Sequence, residues 1–242
     1  MSRRVLNAPV GVKTREVERV LAVLKREGLN RERAFEARVD RISQRFLGRN
    51  YAASPLGGGP ESEESFRVSF HEFDCVTYVE TVLALACSTT PRGFYRELRD
   101  LRYQNGRVDW FNRNHFMTGW LRSNVARGVI TDLTRGHDSL SKMRTLKGVA
   151  GLKPRKVTFR FFPKRRFARV RSRIRTGDVM IFVSTKKHLD VFHMGIVICA
   201  DGQVLLRHAT RSVGKVIEQD LVEFLNSNRM PGFILARPRC QR

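Results

Sequence analysis

The dipeptide Asp201-Gly202 separates two short apolar and β-branched runs, residues 192–199 and 204–208, and it constrains this chain more tightly than any other feature. Asp and Gly tolerate the positive φ of a two-residue hairpin turn, so the pair predicts an antiparallel hairpin of fixed register. Ala200 then faces Gln203, His193 faces Thr210, and His208 faces Gly195. Side chains alternate along a strand, which puts His193, Gly195 and Val197 on one face with Thr210, His208 and Leu206. The two histidines become diagonal neighbours at a backbone separation of roughly 7–8 Å, within side-chain reach. Gly195, opposite His208, leaves room for an imidazole.

Residues 157–162, 179–183 and 233–236 read as further short strands, rich in β-branched and aromatic residues between turn signals. The first half is helical. Val17, Val20, Leu21, Val23 and Leu24, then Phe35, Val39, Ile42 and Phe46, recur at three- and four-residue spacing, giving two amphipathic helices within residues 14–47 broken near Gly28 to Asn30. Residues 54–65, with Gly57, Gly58, Gly59 and Pro60, form a loop, and residues 66–70 a short strand. A helix over residues 75–87 follows, with Val76, Val79, Val82, Leu83 and Ala86 on one face and Asp74 as N-cap. Residues 94–103 and 114–127 are further helical candidates. Helices first and antiparallel strands later indicate an α+β fold. The chain divides into a helical N-terminal region with its Gly-rich loop, residues 1–60, and a main domain, residues 61–240.

A cysteine at a helix N-terminus sits where the helix dipole and unpaired N–H groups favour thiolate, the attacking form. Cys75 holds such a place. A histidine on a facing strand can take its proton, and a second polar group can fix that histidine's tautomer. Cys75, His193 and His208 match these roles in chain order. On residues alone, a structural cysteine with two packing histidines accounts for the same pattern. Zinc held by His188, Asp190, His193 and His208 fits less well, because HExxH is absent and Cys75 goes unexplained. The four cysteines contain no CxxC pair and are too scattered for a disulfide framework. Cys87 and Cys199 read as small core residues, and Cys240 as part of a frayed tail.

The 242 residues carry 46 Lys+Arg against 23 Asp+Glu, a formal charge of +23. Eleven of the basic residues lie in residues 153–175 among Phe159, Phe161, Phe162 and Phe167. Basic residues with aromatics suit single-stranded nucleic acid. Here Phe159-Arg160-Phe161 alternates as a half-buried strand does, so a solvated basic face with inward phenylalanines is the better reading and nucleic acid is disfavoured. An anionic wall polymer or membrane surface is an intermediate alternative. No apolar run approaches the ~20 residues of a membrane span, and no export signal is visible, so the chain reads as soluble.

The stretch Phe73-Asp74-Cys75-Val76-Thr77-Tyr78-Val79-Glu80 resembles the nucleophile helix of the NlpC/P60 cell-wall cysteine hydrolases, and most closely the DUF1460, or N-acetylmuramoyl-L-alanine amidase-like, branch. Arg102-Tyr103-Gln104-Asn105-Gly106, Arg113-Asn114-His115-Phe116 with Trp120, Thr176-Gly177-Asp178-Val179, His193-Met194-Gly195-Ile196 and His208-Ala209-Thr210 follow in the family's order. The resemblance implies a papain-like core with Cys75 as nucleophile, His193 as base and His208 as its orienter. It implies cleavage of the amide between N-acetylmuramic acid and L-alanine in peptidoglycan fragments, without metal or cofactor; a stem-peptide endopeptidase is the alternative. Arg102, Tyr103, His115 and Trp120 are the expected substrate contacts, with Asp74 beside the nucleophile. The family implies the cell envelope or periplasm.

Overall fold

Residues 75–86 contain one charged side chain, Glu80, and a helix that is apolar all round must be covered all round. The computed structural model, which describes residues 9–29 and 35–240, meets that demand with a layer on every side. In chain order the described elements are β1 (Val10–Gly11), α1 (Thr14–Arg26), α2 (Phe35–Arg45), β2 (Asn50–Tyr51), β3 (Arg67–Val68), β4 (Glu72–Phe73), α3 (Cys75–Ala86), α4 (Pro91–Arg102) and α5 (Met117–Ala126). There follow β5 (Ile130–Asp132), β6 (Leu140–Leu146), β7 (Arg155–Pro163), α6 (Phe167–Val170), β8 (Val179–Val183), β9 (Val191–Ala200), β10 (Gln203–Thr210), β11 (Lys215–Asp220), α7 (Leu221–Ser227) and β12 (Gly232–Pro238). The fold is α+β, as expected.

The main sheet runs β4-β2-β11-β10-β9-β8-β12-β7-β6, with β5 beside β12, and its long neighbours are antiparallel. α3 packs on the centre of this sheet, against β9 and β10, with α2 and α4 alongside. Met194, Ile196, Ile198 and Ala209 face α3, together with Val17, Leu24, Val39 and Ile42 from the first two helices. Val197, Leu206 and Phe182 face the other way, onto Leu221, Phe224 and Leu225 of α7. Every residue from Thr77 to Ala86 is buried. Arg38 of α2, itself buried, donates to the carbonyls of Leu85 and Ala86 at 3.0 and 2.7 Å, which satisfies acceptors that the end of a helix leaves without partners.

The hairpin forms as Asp201-Gly202 predicts. Its two turn residues have φ of 49° and 75°, and Ala200 pairs with Gln203 through to Ile196 with Arg207. The strand expected over residues 66–70 shortens to β3, and a separate strand, β4, follows it. β6, β11 and α7 were not anticipated: β6 and β11 alternate weakly because they are half solvated, so periodicity carries little signal there. Asn30, at the expected helix break, lies outside the described residues, whereas Gly28 turns at φ 67°.

Two cysteine assignments need correction. Cys87, the C-cap of α3, is disulfide-bonded to Cys240 across 153 residues, so neither a free core thiol nor a frayed tail describes them. The route back is set by β12, after which Arg239 N–H donates to the Val129 carbonyl at 2.7 Å and Cys240 reaches the C-terminal end of α3. Cys199 is exposed and free, near the end of β9, rather than in the core. Alkylation of the unfolded, unreduced protein is expected to label Cys75 and Cys199 alone, and Cys240→Ser to cost about 2–4 kcal/mol of unfolding free energy. Four labelled thiols in peptide mass spectra would refute the bond.

Candidate active site

Asp74 caps α3. Its Oδ1 accepts from the Val76 and Thr77 N–H groups at 3.1 and 2.7 Å, and Thr77 Oγ1 in turn accepts from the Asp74 N–H at 3.0 Å. This fixes Cys75 as the first helical residue, with its thiol partly buried. The N–H groups of Met194, Cys75 and Val76 turn toward the sulfur and favour thiolate. They are outweighed: burial, reinforced by the Asp74 carboxylate, pushes the thiol up to about 12. The thiolate expected from the helix position alone is therefore not the resting form.

His193 on β9 and His208 on β10 meet as the register requires. His193 Nε2 and His208 Nδ1 are 2.6 Å apart, and His208 Nε2 lies 3.0 Å from Gln219 Oε1 on β11. Because the Gln219 oxygen can only accept, His208 carries its proton on Nε2 and accepts at Nδ1 from His193 Nε2–H. His193 Nδ1 is left with its lone pair. A Cβ on Gly195 would lie 3.0 Å from His208 Cβ and 2.7 Å from Leu206 Cδ1, so glycine is what lets the imidazole seat there. Both rings pack against Phe224 of α7, at 5.6 and 5.3 Å between centroids. Burial lowers His193 to about 3, with the neighbouring His208 adding to the effect. Burial also lowers His208 to about 4, against the opposing effect of the hydrogen bond it donates to Gln219.

The histidines thus lie on the α7 side of β9, while α3 packs on the opposite side. The two groups approach at the Met194 amide, next in sequence to His193, where the recorded β9–β10 ladder has already ended. Among the described residues no hydrogen bond joins Cys75 Sγ to His193. Tyr51 is a neighbour that sequence reasoning missed. Its phenol is raised by burial and then by Cys75 and Asp74, and β2 pairs with β4 so that Tyr51 sits opposite Phe73. Gln219 was missed as well, since β11 was not recognised as a strand.

The expected substrate contacts are placed otherwise. Arg102 is buried, with Nε 2.8 Å from Glu80 Oε2 and Nη1 2.6 Å from the Arg67 carbonyl. Trp120 is fully buried and donates Nε1–H to Glu80 Oε1 at 3.2 Å. Tyr103 is fully buried and donates its hydroxyl to Glu64 Oε1 at 2.9 Å, where Arg113 also pairs at 3.0 Å. These three side chains spend their polar atoms on two interior carboxylates. His115 is half-buried, 2.7 Å from the Trp110 carbonyl and packed on the Trp110 ring at 4.4 Å. Asp190 is buried and accepts from Thr118 N–H and Oγ1, both at 2.7 Å, tying the start of α5 to the start of β9. His188 is exposed.

The fold that carries these residues has solved counterparts. A protein from Legionella pneumophila, described with the DUF1460 family model, is 22% identical with a TM-score of 0.79, covering 94% of this chain and 96% of that one. An N-acetylmuramoyl-L-alanine amidase from Bacteroides uniformis is 22% identical with a TM-score of 0.73, covering 85% and 99%. A putative xylanase from Bacteroides fragilis is 24% identical with a TM-score of 0.68, covering 81% and 99%. They share the fold. No curated protein matches in sequence. The model of the AmiA-like family, N-acetylmuramoyl-L-alanine amidase-like, matches residues 41–233, and the chain belongs to that family.

Two outcomes follow from the burial. With folded values of about 3 and 4 against an ordinary 6.5, the unfolded chain binds more protons than the folded one as pH falls below 6.5, so acid destabilises. Denaturant titrations between pH 6.5 and 5, where most carboxylates stay ionised, should show stability falling by up to about 1.4 kcal/mol per pH unit for each imidazole. His208→Gln should flatten that slope, and an unchanged slope would contradict the assignment. Arg102→Met should cost about 3–5 kcal/mol by stranding Glu80, which thermal melts of the free protein would read.

Proposed function

We propose that this protein is a cysteine amidase that hydrolyses the amide between N-acetylmuramic acid and L-alanine in peptidoglycan fragments, within the NlpC/P60 group of papain-like hydrolases. The observation that carries the reading is the His193–His208–Gln219 hydrogen-bond chain, one residue from the amide that reaches the Cys75 sulfur, in a chain of the amidase-like family. Cys75 Sγ attacks the lactyl carbonyl carbon while its proton passes to His193 Nδ1 through one water at the Met194 end of β9, where the two groups approach. A neutral thiol and a neutral imidazole at rest make that transfer simultaneous with attack, as general-base catalysis requires. The tetrahedral oxyanion is met by the Cys75 N–H and by the Tyr51 phenol. Collapse breaks the C–N bond, His193 returns the proton to the alanine amine, and a muramoyl thioester remains. Water, deprotonated by His193, then releases muramate and restores the thiol. His208 and Gln219 hold His193 in the tautomer whose Nδ1 is free.

The wild-type protein is expected to release L-alanine from N-acetylmuramoyl-L-alanine, and Cys75→Ala to release none while melting at a similar temperature. Mass spectra of a muropeptide digest treated with each would name the bond; cleavage inside the stem peptide alone would overturn the substrate. Gln219→Leu should lower kcat on the order of 10²-fold with KM little changed, because the general base loses its tautomer.

A further inference from the structure

Residues 139–187 contain sixteen Lys or Arg and a single acidic residue, Asp178. Asp178 is buried and paired with Arg237, so it neutralises none of the sixteen. The register of β6 on β7 sets Met143 opposite Thr158, Ser141 opposite Arg160 and Thr145 opposite Lys156. Directly opposed residues share a face, so Arg160 and Lys156 flank Met143 on the outward side of this edge hairpin. Met143 is 64% exposed, the largest of the apolar exposures described, whereas Leu140 has the opposite parity and falls on the face of Phe161.

The basic surface continues from the hairpin into residues 164–173. Arg160 Nη2 donates to the Gly136 carbonyl at 3.3 Å and Arg166 Nη1 to the His137 carbonyl at 2.8 Å, so both segments meet on one turn. Bonds to carbonyls orient the guanidinium groups without cancelling their charge. Lys153, Arg155, Lys156, Arg165 and Arg175 are exposed.

What such a surface can bind is narrowed by its apolar residues. Phe159, Phe161, Phe162 and Phe167 are at most 9% exposed, so the segment offers no rings for bases to stack on, and single-stranded nucleic acid loses its main non-ionic attraction. A soluble polyanion has no use for an exposed Met among the cations. An anionic bilayer satisfies both, with phosphates for the cations and an acyl boundary for the thioether. We propose that the outward face of the β6–β7 hairpin, with residues 164–173 beside it, docks on a membrane rich in anionic phospholipid. This inference does not depend on the amidase reading.

The test is sedimentation of the full chain with vesicles of phosphatidylglycerol and phosphatidylcholine in equal parts, against phosphatidylcholine alone. Binding to the mixed vesicles only is expected. The triple variant Lys153→Glu, Lys156→Glu, Arg165→Glu should partition about tenfold more weakly, while Arg15→Glu, Arg19→Glu, Lys25→Glu on α1, with the same change of net charge, stays within about twofold. Equal weakening of both variants would overturn the proposal, because net charge alone would then explain binding. Met143→Ser should abolish the fraction that stays bound in high salt. An unchanged high-salt fraction, or displacement from vesicles by polyphosphate or oligothymidine at equal charge, would assign the face to a soluble polyanion instead. Circular dichroism melts verify that each variant is folded.

Discussion

The burial of α3 is the constraint on which the rest of the structure depends. Ten consecutive residues of this helix are out of solvent, and no single neighbour can cover them, so the sheet, α2 and α4 must all close on it. Glu80 is the one charged side chain that α3 itself carries inside. A lone buried carboxylate would cost several kcal/mol, and Arg102 and Trp120 are recruited to opposite oxygens to offset that cost. Residues that look from a distance like pocket lining are thereby consumed by the core. Arg38 and the Cys87–Cys240 bond secure the other end of the same helix.

Because α3 is fixed along its length, its N-terminus is fixed as well, and that end carries Cys75. The Asp74 cap determines where the helix begins, the Met194 amide reaches the sulfur from the sheet, and the histidine pair sits one residue further on. Burial makes all three groups neutral at rest. A low-dielectric site raises the thiol and lowers both imidazoles, since each shift disfavours a charge that water would otherwise solvate. The helix dipole and three N–H groups act in the opposite direction on the thiol and are the weaker influence here.

The positive charge is separate from this machinery. It is concentrated on the β6–β7 hairpin and residues 164–173, on solvated positions, while the phenylalanines interleaved with it turn inward. The alternation of Phe159-Arg160-Phe161 already contained that division, because neighbouring residues of a strand cannot share a face.

Much was determined by the sequence alone wherever the physics is local. Asp201-Gly202 permits few backbones other than a tight hairpin, and so the meeting of His193 with His208 was legible from two residues and a period of two. The extent of α3 and its Asp74 cap were legible for the same reason. Tertiary structure decided what depends on residues far apart in the chain. Tyr51 comes beside Cys75 only because β2 lies against β4, and Gln219 orients His208 only because β11 flanks β10. Cys87 finds Cys240 across 153 residues, and Arg102 turns to Glu80 rather than outward. Such pairings leave no local pattern, since neither partner's neighbours record what the folded chain will bring to it.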